Sequence, residues 1–140
     1  EKSTVFDWKE ALDFERQSAP YVQYAHARIA SIFRQAAEMG IDLESAPNLT
    51  LLTEEKEIDL IKKIAEYPEE LERAAADYAP QRIARYVYDL AGAFHSFYNQ
   101  CRCMGIEPEL AKARLALCGA AQRVIRLALA VLGISAPEKM

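Results

Sequence analysis

Apolar residues recur at alternating steps of three and four along most of this chain, the spacing of one face of an α-helix. Between Pro20 and Gly40 the set is Val22, Ala25, Ile29, Ile32 and Ala36. Proline suits a first helical turn, where its missing N–H costs nothing, and glycine takes the left-handed conformation that stops a helix. The pattern therefore predicts a helix over 20–39. A cleaner stripe follows Pro80, with Ile83, Val87, Leu90, Phe94, Phe97 and Cys101, and predicts a helix ending near Gly105. From Pro108 the stripe Leu110, Ala113, Leu117, Ala120, Val124, Leu127 and Val131 predicts a last helix, stopped by Gly133 and followed by a tail over 134–140.

Shorter patterns fill the gaps. Residues 5–15 predict a short helix in which Phe6 and Trp8 supply large apolar surface. Residues 41–52, with Pro47 and Asn48, read as a loop. Thr53 is placed to cap a helix whose first turn is acidic (Glu54, Glu55), with Ile58, Ile61 and Ile64 or Ala65 as core residues. Pro68 opens another short helix to about Tyr78. No alternating strand pattern appears, so the expected fold class is all-α, a bundle of five or six helices without internal repeats.

A chain of 140 residues, 51% of them apolar, is one domain with enough hydrophobic surface for a continuous core. No apolar run approaches the roughly 20 residues that cross a bilayer, which predicts a soluble, membrane-free protein. The chain opens on Glu1 with no basic-then-apolar leader, the expectation being that it starts inside a longer protein. Cys101, Cys103 and Cys118 form an odd set, which fits a reducing compartment and ordinary buried thiols better than a disulfide framework. Zinc wants four ligands, and one Cys-x-Cys with distant His26 and His95 supplies a poor set. The net charge of −4 argues against nonspecific nucleic-acid binding. It is unevenly placed: residues 80–140 hold 8 Lys or Arg against 4 Asp or Glu, and residues 1–79 hold 9 against 17. The basic half could meet phosphate, or the charges could simply be solvated faces.

No catalytic constellation is visible. The five glycines are scattered and form no phosphate loop, and no nucleophile has a histidine at motif spacing. Glu54–Glu55 and Glu69–Glu70 lie in first helical turns, where the helix dipole accounts for them. Asp89 and His95 read as structural hydrogen-bonding groups. The informative feature is a second row on the 20–39 helix. Tyr21, Tyr24 and Arg28 each precede a core position by one residue, so they share a face turned about 100° from the core. Aromatic rings and guanidinium planes beside a core suit stacking on the bases of single-stranded RNA. Periodicity alone leaves open that these tyrosines pack under a neighbouring helix. Lys112, Arg123 and Arg126 share a face of the last helix, and Arg82, Arg85 and Arg102 flank the long one. Each of these groups reads as a phosphate contact or as a solvated, salt-bridged helix face.

Four stretches carry a family resemblance: PYVQYAHAR at 20–28, YDLAGAFHSFYNQC at 88–101, LALCGAAQRVIR at 115–126 and LGISAPEKM at 132–140. In that order, and nearly over the whole chain, they resemble the C-terminal, DALR-type anticodon-binding region of arginyl-tRNA synthetases. The resemblance implies a helical anticodon-binding bundle as in class I aminoacyl-tRNA synthetases. It also implies a cytoplasmic, monomeric parent enzyme that activates arginine with ATP and magnesium in a separate catalytic domain, the present fragment holding no cofactor and catalysing nothing alone. Residues 1–18 would be the end of the catalytic region or a connecting helix, and 19–140 the anticodon-binding domain. The implied partners are the catalytic domain and the anticodon loop of arginine tRNA with its central cytosine. The implied contacts are Tyr21, Tyr24, Arg28, Arg34, Arg102 and Met140. Two positions depart from the family pattern: Cys103, where a small aliphatic residue is expected, and Leu127, where asparagine is common. Two other readings remain, a helical protein–protein module that docks a partner helix on Phe6 and Trp8, or the anticodon domain of another class I synthetase.

Overall fold

In the computed structural model the described residues are 3, 5–11 and 19–140, residues 10 and 11 by their backbone only. Among them are six α-helical segments and no strand: α1 (Trp8–Ala11), α2 (Ala19–Glu38), α3 (Glu55–Ala65), α4 (Tyr67–Ala76), α5 (Pro80–Gln100) and α6 (Pro108–Val131). The all-α expectation holds. Of the helix expected over 5–15, only the single turn of α1 is seen, residues 5–7 are not helical, and 12–15 lie outside the described residues. Gly40, Gly105 and Gly133 all take positive φ near 70°, Gly40 and Gly133 stopping α2 and α6 where the sequence placed them.

The long helix α5 packs against α2, α3, α4 and α6 and so runs through the middle of the bundle. Its predicted stripe is buried from Ile83 to Cys101, and Phe94 and Phe97 are wholly enclosed. The stripe Val22–Ala36 of α2 is buried as well. The other two helices orient differently from the prediction. On α6 the first half of the predicted stripe holds, with Leu110 half-buried and Ala113 and Leu117 buried, but beyond it the core face is Cys118, Ala121, Ile125, Ala128 and Leu129, whereas Ala120, Leu127 and Val131 are exposed and Val124 is half-buried. The second half of this helix is apolar almost all round, so two stripes satisfied helical periodicity there, and packing against α2, α3 and α5 selected the one through Ala121, Ile125 and Ala128. Leu127 therefore takes no place in the core that the family's asparagine would have to share. Cys103 does lie in the core, and Cys101, Cys103 and Cys118 are all buried free thiols.

On α3 the expected core residues Ile58 and Ile61 are exposed, and Glu57 and Leu60 are buried in their place. Thr53 does not cap this helix; Glu54 occupies the cap position without a side-chain hydrogen bond. The loop 41–52 contains one 3-10 turn, Leu49–Leu51, which the Asn48 side chain caps by accepting from the Thr50 N–H. Glu57 is 1% exposed, and its Oε1 accepts from Arg114 Nη2 of α6 at 3.1 Å. Arg114 Nη1 donates to the Arg102 carbonyl at 2.8 Å, so one guanidinium fastens α3, α6 and the turn after α5. No sequence pattern marks this pair, because a charged residue in a helical first turn looks like a dipole effect.

Two stability outcomes follow from this architecture. Arg114→Leu should cost about 3–5 kcal/mol in urea unfolding, since it strands a buried carboxylate, whereas Glu57→Leu with Arg114→Leu should recover most of that loss. Tyr78 ends α4 at φ 49° with its side chain 94% exposed, while the next N–H, that of Ala79, returns to the Ala74 carbonyl at 2.9 Å. Tyr78→Gly should therefore raise stability by about 1 kcal/mol, the left-handed conformation costing a side-chain-bearing residue that much or more.

Candidate nucleic-acid interface

The site is built on α2, because this helix carries a different kind of residue on each side of its core stripe. Tyr21, Tyr24 and Arg28 precede core positions by one; Gln23 and His26 follow them by one. A helix turns 100° per residue, so the two sets flank the buried face on opposite sides.

On the first flank the aromatic residues meet α5. Tyr21 is half-buried, its ring centroid 5.0 Å from Tyr88 and 5.4 Å from His95. His95 in turn stacks on Tyr24 at 6.2 Å. Arg28 lies over the ring of Tyr98, its guanidinium carbon 4.9 Å from the centroid, a cation–π geometry that holds the side chain flat on α5. His95 is therefore a packing residue within an aromatic layer, with no side-chain hydrogen bond among the described residues, and Asp89 is exposed. Burial and the Arg28 charge push the His95 imidazolium below its ordinary pKa. Burial, and then the proximity of Tyr88, pushes the Tyr21 hydroxyl up.

On the second flank α2 meets the tail. Gln23 Nε2 donates to the Ser135 carbonyl at 2.9 Å. His26 Nδ1 donates to the Pro137 carbonyl at 2.9 Å, since a carbonyl can only accept. Arg34 Nη1 donates to the Glu138 carbonyl at 3.3 Å. Ile134 and Ala136 pack against the core, so the tail runs along α2 toward its C-terminal end.

Between the two flanks the tail and α2 enclose an open cleft of about 380 Å³, lined by Tyr24, Arg28, Ser31, Arg34, Lys139 and Met140, with Ala27 on its floor and Glu138 on its rim. Tyr24 is 48% exposed and Met140 63%, so an aromatic ring and a thioether both present free surface here. Among the described residues no carboxylate pairs with Arg28 or Arg34. Of the six residues singled out in the sequence, the structure gathers Tyr24, Arg28, Arg34 and Met140. Tyr21 stands behind them in the aromatic layer. Arg102 lies elsewhere, exposed after α5, its carbonyl engaged by Arg114. Gln23, His26, His95 and Tyr98 were missed. The first two had a visible signal, polar residues immediately after core positions; the α5 pair had none, since only docking brings α5 beside Tyr24 and Arg28.

The basic residues of α6 divide. Lys112 contacts Ser45 and Glu109, a structural use. Arg123 and Arg126 line a second open groove with Phe33 and Val124. No group of three or more metal-binding side chains occurs among the described residues, and none of their helices is long and apolar enough to cross a membrane.

Known proteins resemble this chain over most of its length. Residues 22–140 match the family model of the DALR anticodon binding domain. An arginine–tRNA ligase of Caldanaerobacter subterraneus is 55% identical over 122 residues, 86% of this chain and 22% of that protein. One from Methanosarcina barkeri is 48% identical over 142 residues, covering 100% of this chain and 25% of the relative. Among solved structures, Thermus thermophilus arginyl-tRNA synthetase superposes with a TM-score of 0.85 at 34% identity, over 96% of this chain and 23% of that one. The Plasmodium falciparum arginyl-tRNA synthetase gives 0.77 at 27% identity, over the same 96% and 23%. The chain thus spans about a quarter of the length of these relatives.

The His95 environment predicts a pH effect. With its folded pKa below the unfolded value of about 6.5, the unfolded chain binds the proton more readily, so stability present above that pH is lost as the pH falls through the His range. Thermal melting at about pH 7.5 and about pH 5.5 should show a smaller acid-induced drop in His95→Phe than in the parent.

Proposed function

Because the chain belongs to the DALR anticodon-binding domain family, we propose that the cleft between α2 and the tail holds the anticodon loop of arginine tRNA, as the non-catalytic part of an arginine–tRNA ligase. The whole ligase would join arginine to that tRNA with ATP and magnesium, in a catalytic region outside this chain to which residues 1–18 connect. The observation that carries this reading is the convergence of Tyr24, Arg28, Arg34 and Met140 on one cleft.

The division of labour follows from the side chains. The free face of Tyr24 offers a stacking surface for a splayed base, the central cytosine of the loop, and Met140 closes the opposite side as an adaptable apolar wall. Arg28, held on Tyr98, carries a permanent charge in a set orientation, suited to a base edge or phosphate. Arg34, already bonded to the tail, keeps further donors for phosphate. Tyr21 supports Tyr24 through His95 and makes no base contact of its own. Arg102 lies outside the cleft, and no base contact is proposed for it. Nothing here forms or breaks a bond; the module positions its RNA.

In the full-length ligase, Tyr24→Ala should weaken binding of an anticodon stem-loop by about 10- to 100-fold, a stacked base being worth roughly 1–3 kcal/mol. KM for tRNA should rise with kcat at saturating tRNA little changed. Few phosphates are engaged, so affinity should fall with salt on a shallow slope. Equal binding of the cognate stem-loop and of one with its central base changed, or no loss on Tyr24→Ala, would reject the assignment and turn attention to a protein partner on the same aromatic face.

A further inference from the structure

The segment 135–140 is held in an unusual way. It has no helical or sheet partner of its own, and the hydrogen bonds that fasten it run from side chains of α2 to its backbone carbonyls, at Ser135, Pro137 and Glu138. Gln23 and His26 supply two of those bonds, yet neither lines the cleft. Their effect on anything bound there passes through the tail, whose last three residues form the cleft's second wall.

We propose that residues 135–140 act as a latch whose docking on α2 is linked to RNA binding, with Gln23 and His26 as the positioning residues that close it. This rests on the reading of the cleft as the anticodon site. The physical case is one of near balance. Each net hydrogen bond is worth only a small multiple of thermal energy. Together they must offset the conformational entropy lost by the six residues 135–140, which follow Ile134 and the turn at Gly133 (φ 71°). Ile134 just before the segment and Ala136 near its start supply its apolar anchors. Docked and undocked latches should therefore both be populated in the free protein. A ligand that touches Met140 in the docked state alone must then favour docking, and any residue that raises the docked fraction must tighten the ligand in proportion to that rise. Because three of these bonds go to carbonyls, the latch is read mainly by its backbone course, the Ser135 hydroxyl adding one longer contact with Gln23 Nε2 at 3.4 Å.

The test uses the full-length ligase with ¹³C-methyl methionine, the Met140 signal being assigned from Met140→Leu. Adding a cognate anticodon stem-loop should shift the Met140 methyl toward a single docked position. Gln23→Leu and His26→Leu should move it toward the undocked position in the free protein and weaken stem-loop binding by up to about tenfold each, the effect of one lost hydrogen bond. KM for tRNA should rise to match, with kcat at saturating tRNA unchanged. His26→Asn, which keeps a donor near the Nδ1 position, should recover both signals to within about twofold of the parent. If His26→Leu fails to fold, the half-buried Gln23→Leu decides the matter alone. The inference falls if Gln23→Leu frees the Met140 methyl and leaves RNA affinity untouched, or if neither variant moves the methyl at all. Tyr24→Ala is measured alongside: a normal loss there with no effect of the latch variants overturns the latch only, whereas no loss in Tyr24→Ala overturns the anticodon reading beneath it.

Discussion

The circumference of α2 is the constraint on which the rest of this molecule depends. A helix offers 360° and places a residue every 100°, so only a few neighbours can be served. Here Val22, Ala25, Ile29, Ile32 and Ala36 go to the core, Tyr21 and Arg28 to α5, Gln23 and His26 to the tail. What remains is the strip holding Tyr24, Ser31 and Arg34, and it becomes the floor of the cleft. The cleft lies on the side of α2 between the residues that α5 takes and those that the tail takes.

Charge follows the same economy. The chain is acidic overall, yet much of that charge is answered locally on α3 and α4, where Lys56 pairs with Asp59, Lys63 with Glu66 and Arg73 with Glu69. Such exposed pairs stabilise little, but they leave small net fields. The cleft is different: Arg28 and Arg34 face it with no carboxylate partner among the described residues. A protein of net charge −4 can thus present a locally cationic, aromatic surface, the combination that suits a nucleic-acid loop. The buried Glu57–Arg114 pair serves another end, binding α3 and α6 to the turn after α5. Its loss would disturb the helices that frame the site without touching the site itself.

The clamp on the tail also explains why a short, irregular segment can matter to binding. Irregular backbone carries unsatisfied carbonyls, and near a helix surface those must find donors or water. Gln23, His26 and Arg34 meet that need, in an order that carries the chain toward Met140. The hydrogen bonds that settle the tail's polarity thereby settle which residues form the second wall.

Local spacing was enough to read the helices from α2 onward, most of their ends, the core faces of α2 and α5, and the shared face of Tyr24 and Arg28, though not whether that face was free. Each of these rests on local spacing, proline and glycine geometry, or a stripe with only one reading. Tertiary structure decided whatever had two local answers or none. It chose Ile125, Ala128 and Leu129 of α6 over Leu127 and Val131, and put Glu57 inside where Ile58 and Ile61 looked the better core, because only a facing Arg114 makes that burial tolerable. It placed His95 and Tyr98 beside α2, drew Tyr21 back from the cleft, and brought Met140 more than a hundred residues back along the chain to Tyr24 and Arg28. Periodicity reports on neighbours within a helix; contacts between distant segments depend on packing that no local pattern encodes.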